Sequence, residues 1–108
     1  MAIDIDIIQS EIVDRLKILD PEKIILFGSH AYGIPDEDSD VDVFIIKSMP
    51  KSQARDFTLT ARKLLRDLVF KHKVGFDIIA APEDYIRNRK DPFYRDDILT
   101  RGKVIYVK

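Results

Sequence analysis

Apolar residues recur at steps of three and four through Ile5, Ile8, Ile12, Leu16 and Leu19, and this period predicts a helix over about 4–19. Asp20-Pro21 ends it, since a residue before proline avoids the helical region. Ile24-Ile25-Leu26-Phe27 is a short unbroken apolar run, which predicts a strand covered on both faces. Gly28-Ser29 closes that strand, Ala31-Tyr32-Gly33 reads as a helical turn, and the polar run 34–39 reads as a loop. Val41 to Ile46 predicts a second strand. The longest helical period runs over about 51–70, with Ala54, Phe57, Ala61, Leu64, Leu65 and Leu68 on one face. Arg55, Arg62, Lys63 and Arg66 fall largely outside that stripe. Val74 to Ala80 predicts a third strand. Pro82 suits the first turn of a short helix, with Glu83 and Asp84 near its positive end. Asp91-Pro92 opens another helix to Arg101, stopped by Gly102, and Val104 to Val107 reads as a last strand. Strands alternating with helices predict an α+β fold of α/β character: a short mixed sheet packed against helices.

The chain has 108 residues, the size of one domain spanning 1–108, and is long enough to bury a sizeable core. Its 18 basic and 19 acidic side chains leave a net charge of −1, which argues against gripping nucleic acid by bulk charge. No apolar run approaches the roughly 20 residues that cross a bilayer. The acidic start, Met1 to Asp6, lacks the basic region of a signal peptide. Absence of cysteine removes disulfides, thiolate nucleophiles and cysteine zinc sites. The expectation is a cytoplasmic protein without membrane attachment.

The chemistry concentrates between Leu26 and Val43. Residues i and i+2 of a strand share a face, so Asp40 and Asp42 present two carboxylates side by side at the head of an apolar strand. Unpaired charge there is costly to bury. Either both side chains stay solvated at the loop end, or a divalent cation compensates them; hard oxygen ligands suit Mg²⁺. A calcium loop starting at Asp36 fails, because Val41 and Lys47 stand where glycine and glutamate are needed. Gly28 directly follows a buried strand, where backbone can approach a ligand closely. Ser29 then offers a backbone N–H and a hydroxyl to a phosphate. Alone, a Gly-Ser pair is an ordinary strand exit.

Together, Phe27-Gly28-Ser29-His30-Ala31-Tyr32-Gly33 and, ten residues after Ser29, Asp40-Val41-Asp42-Val43 resemble the signature of the DNA polymerase β-like nucleotidyltransferase superfamily. The short chain resembles its minimal nucleotidyltransferases, the MNT antitoxins of HEPN/MNT toxin–antitoxin systems. His30 departs from the pattern, since many relatives place Arg there. The resemblance implies a polymerase β-type fold and transfer of a nucleoside monophosphate from an NTP to a hydroxyl. It implies Asp40, Asp42 and Asp77 as the catalytic and metal-binding triad, with Gly28 and Ser29 binding nucleotide. Asp77 otherwise reads as a charge within the apolar run Phe76-Asp77-Ile78-Ile79 that pairs with some Lys or Arg. Mg²⁺, as two ions, and ATP are the cofactor and substrate implied. So is a HEPN-domain ribonuclease toxin as partner in a homo- or hetero-oligomer, with AMP transferred to its tyrosine. Direct nucleic-acid binding is not expected. A binding-only antitoxin with a vestigial site and a small-molecule nucleotidyltransferase are the alternatives. The latter usually carries an extra helical domain, for which 108 residues leave no room; a partner protein is expected to complete the cleft instead.

Overall fold

The computed structural model describes residues 5–32, 40–89 and 91–108. The elements are α1 (Ile5–Leu16, continued by a 3₁₀ turn Lys17–Leu19), β1 (Lys23–Phe27), α2 (Ser29–Tyr32), β2 (Val41–Ile46), α3 (Ala54–His72, entered through a 3₁₀ turn Lys51–Gln53), β3 (Phe76–Ala81), α4 (Glu83–Arg87), a π-helical stretch Phe93–Thr100, and β4 (Lys103–Val107). Their sequence follows the pattern of apolar positions. Gly33 and the polar loop 34–39 lie outside the described residues.

The strands form one sheet in the order β3-β2-β1-β4. β1 pairs antiparallel with both β2 and β4, whereas β2 and β3 are parallel and joined through α3. A parallel pair needs a crossover of a dozen or more residues, and the long amphipathic α3 supplies it. The sheet is therefore mixed, with helices against it.

Alternation along β2 divides the core in two. Val41, Val43 and Ile45 face α1 and α3, packing with Ile8, Ile12, Leu16, Ala61, Leu65 and Leu68. Each valine, leucine or isoleucine among them, fully buried, stabilises the fold by about 1.5–3 kcal/mol. Phe44 and Ile46 face the other way, toward Ile25, Phe27, Ile86 and Ile98. This second cluster is aromatic at its centre. The rings of Phe27 and Phe44 meet edge-on at 6.4 Å, Phe93 meets Phe27 at 5.6 Å, and Tyr94 meets Phe44 at 6.1 Å.

Local details differ from the sequence pattern in instructive ways. Helix α3 ends at Lys73, which takes the left-handed conformation at φ 54° and donates its N–H to Val69 O. Gly75 is not in that region, although glycine is the usual residue for it. The helix expected from Asp91-Pro92 to Arg101 is π-helical: the Arg101 N–H reaches back five residues to Asp96 O at 2.8 Å. Asp91 Oδ1 accepts from the Phe93 N–H at 2.9 Å and so marks its start. Gly102 then passes so close to Ile25 that a Cβ there would meet Ile25 Cγ2 at 2.6 Å. His72 is the last residue of α3, where its Nε2 meets Glu11 Oε1 at 2.7 Å.

Candidate functional site

Asp42 stands second in β2, on the face that carries Phe44 and Ile46. The register places it opposite Phe27 of β1 on one side and Asp77 of β3 on the other. Parallel pairing brings Asp42 and Asp77 abreast, and the two-residue period of a strand puts Asp40 on the same side as Asp42. The apolar runs of β2 and β3 fix that arrangement. Slipping either strand by one residue would exchange the side chains that face the two core clusters. Carboxylates from two adjacent strands thus gather at one end of the sheet, beside the aromatic cluster.

Two glycines shape this corner. Gly28 leaves β1 at φ 77°, in the left-handed region, where a side chain is strained. A Cβ on it would run into the Asp42 carboxylate, with Cγ 3.0 Å away. Backbone and carboxylate are in direct contact there, and only glycine permits it. Gly75, just before β3, does the same for Asp40: a Cβ would sit 2.6 Å from Asp40 Oδ1. The Gly75 carbonyl also accepts the Val41 N–H at 2.9 Å, tying the mouth of β2 to that of β3. The sequence singles out Gly28 through its place after a buried strand. Gly75 has no comparable signal, because its part depends on a neighbour 35 residues earlier.

Electrostatics mark the same corner. Burial pushes the Asp42 carboxyl above the usual carboxylate range, the neighbouring charges of Asp77 and Asp40 push it further, and His30 on α2 acts in the opposite sense. None of Asp40, Asp42 and Asp77 takes part in an ion pair among the described residues. Asp42 is partly buried; Asp40 and Asp77 are exposed. Hard oxygen donors held together against their own repulsion fit a divalent cation. Among the described residues, no three acidic or histidine side chains stand in a finished ligand arrangement, so Asp40 would have to turn from Gly75 toward the other two. Ser29 opens α2 directly after Gly28, putting the start of that turn beside Asp42. Arg62 and Arg66 are not part of this corner. They lie on the outward face of α3, which covers the opposite side of the sheet.

A mixed sheet of this order, with a glycine turn opposite paired aspartates, defines the nucleotidyltransferase class. Residues 4–105 match the family described as the nucleotidyltransferase domain, and the chain belongs to that family. Its curated relatives include a candidate protein adenylyltransferase of Methanocaldococcus jannaschii, 36% identical over 73 residues, which make up 67% of each chain. A second from the same organism is 29% identical over 85 residues, 79% of this chain and 78% of its own. Among solved structures, a toxin–antitoxin with AMP-PNP superposes with a TM-score of 0.59 at 17% identity, over 93% of this chain and 73% of that one. The complex of an MNT antitoxin with tri-AMPylated Shewanella oneidensis HEPN toxin gives 0.56, also at 17% identity, over 95% and 72%. These neighbours establish the shared fold. No helix among the described residues is long and apolar enough to cross a membrane.

Proposed function

We propose that this nucleotidyltransferase moves AMP from ATP to a tyrosine hydroxyl of a partner protein, and that the partner is a HEPN-type toxin which it serves as antitoxin. The observation that carries the reading is the approach of Asp42 to Asp77 and to the bare backbone of Gly28. The relatives from Methanocaldococcus jannaschii, named as candidate protein adenylyltransferases, favour a protein acceptor. The neighbours solved with AMP-PNP and with an AMPylated HEPN toxin favour ATP and a toxin.

In this reading Asp40, Asp42 and Asp77 hold Mg²⁺. Bound there, the cation supplies positive charge to phosphoryl oxygens during in-line displacement. Gly28 and the Ser29 N–H lie along the β- and γ-phosphates, which a side chain at position 28 would keep out. The tyrosine oxygen attacks the α-phosphorus. A new O–P bond forms as the bond to the β-phosphate oxygen breaks, and pyrophosphate leaves. Asp77, the more exposed of the paired carboxylates, orients the incoming hydroxyl and takes its proton on the way to solvent. Positioning and charge stabilisation account for most of such catalysis.

The test is intact mass. The chain, ATP and Mg²⁺ are incubated with the product of the adjacent gene as candidate partner, and that protein's mass is read. A gain of one or more AMP units, lost with Asp77→Asn, supports the reading. Inhibition of the partner without any mass change, equal in the Asp77→Asn protein, would mark a binding-only antitoxin.

A further inference from the structure

The outward face of α3 carries charge that no ion pair among the described residues answers. Arg55, Arg62, Lys63 and Arg66 are exposed, and none of them makes an ion pair among the described residues. At 100° per residue they share a sector about 100° wide with Leu59 and Phe70, along about 22 Å of helix. Leu59 is 45% exposed and Phe70 76%. The nearest acids on the helix flank this sector, and Asp67 is already taken by Arg15. A face evolved only for solvation alternates its charges at i,i+4. Here Arg62 and Arg66 repeat the same sign at that spacing, which weakens an isolated helix. The whole chain carries a net charge of −1, so the four cations of this face are a local cluster and not part of a general excess of positive charge.

Resting on the reading above, in which the substrate is a protein, we propose that this face is the docking surface for the partner. The partner's contribution is an acidic surface whose carboxylates meet Arg55, Arg62, Lys63 and Arg66 and whose apolar side chains cover Leu59 and Phe70. Arginine and large aromatic residues are the usual anchors of protein interfaces. A phosphate backbone would use the cations but has nothing to place against Leu59. The position also suits the chemistry. Helix α3 ends at His72, and three residues later the chain reaches Gly75, against which Asp40 rests. The carboxylates stand on the other side of the sheet, so a protein lying along α3 reaches them by passing round β3, the edge strand beside β2.

The experiment measures binding of the intact chain to the HEPN-type partner by calorimetry at low and high salt. The wild type is compared with the double variant Arg62→Glu/Arg66→Glu and with Phe70→Ser, each checked by circular dichroism for an unchanged fold. The expected result is binding that weakens with salt, falls at least about 100-fold in the charge-reversed protein and about 10-fold in Phe70→Ser. ATP binding stays the same in all three. If both variants bind the partner as tightly as wild type, the docking surface is overturned while the proposed function stands. If the wild type does not bind the partner, the proposed function fails first and the docking surface falls with it. Binding of a single-stranded RNA oligonucleotide that is lost in the same variants, with partner binding intact, would reassign the face to nucleic acid and overturn the proposal.

Discussion

Along the seam between α1 and α3, Glu11 faces Lys71 and His72, and Asp67 faces Arg15; at the head of the sheet, Asp42 stands abreast of Asp77, with Asp40 beside them against Gly75. At the seam, Lys71 Nζ donates to Glu11 Oε2 at 2.8 Å, and the Glu11 carboxyl is held below its usual range, first by that bond. The hydrogen bond from Arg15 does the same for Asp67. In the sheet corner the direction reverses, and the Asp42 carboxyl is pushed up by burial and like charge. The seam uses charge to align two helices and is complete in itself. The corner sets carboxylates together with no Lys or Arg paired to them among the described residues, and the opposing effect of His30 is smaller than that of burial and like charge. Clusters of that kind gather where function requires them.

The contrast can be broken most forcefully at Gly28. Gly28→Val forces a branched side chain into the left-handed region and into the Asp42 carboxylate. Nucleotide transfer should fall at least about 100-fold, the scale of an ångström's misplacement in a catalytic site. ATP affinity measured by calorimetry should fall with it, and thermal stability should drop as well. Next comes Asp42→Asn. Loss of a direct ligand should exceed the roughly 10–100-fold that changes behind a metal site cost, read as initial rate of AMP transfer. The metal-free variant should nevertheless melt higher than wild type at neutral pH, because it loses the repulsion. The sign follows from the raised carboxyl. The folded protein holds the Asp42 proton more tightly than the unfolded chain, so Asp42 makes wild-type stability fall as pH rises through its carboxyl range. That fall should be absent in Asp42→Asn, and the two melting curves should converge in acid.

Gly75→Ala sharpens the comparison more gently. Its backbone is not in the left-handed region, and Asp40 is exposed and able to swing aside. Transfer should drop about 10-fold, by analogy with the lower range for supporting residues, with little change in melting temperature. Smallest of all is Glu11→Gln at the seam: its Lys71 partner is exposed, so the loss should be on the order of 1 kcal/mol, and transfer should be untouched. Glu11 has a lowered carboxyl, so its contribution is present above the ordinary glutamate range and is lost as pH falls through its own. Chemical denaturation at pH 7 and in acid would show the gap between the two proteins closing.

Most elements were legible because their apolar periods are unambiguous. Ile8, Ile12 and Leu16 on α1, and Ala61, Leu65 and Leu68 on α3, are buried where the spacing of three and four puts them. The run from Val41 to Ile46 has the bounds of β2. Asp40 and Asp42 stand out only through the combined pattern of Gly28-Ser29, ten residues and Asp40-Val41-Asp42, and the family that it resembles, since an i,i+2 pair of acids alone also reads as a solvated loop end. Contacts between distant segments were not legible. Nothing local tells that position 77 lies abreast of 42, since that follows from two strands being parallel and neighbouring. The role of Gly75 hides for the same reason, and Lys73 takes the left-handed turn that a reader would assign to glycine. The π-helical stretch is likewise set from outside, where Ile98 joins the cluster around Phe44 and Gly102 meets Ile25.

The central claim is that the carboxylate corner is a cation site at which nucleotide is handled. It is tested most directly by following the melting temperature of wild type and Asp42→Asn during a Mg²⁺ titration with a non-hydrolysable ATP analogue present. Binding to the folded state alone raises stability with ligand concentration. The wild type should melt progressively higher as Mg²⁺ is added, and Asp42→Asn, starting from the higher value, should not respond. Equal gains in both proteins, or no gain in the wild type, would contradict the account.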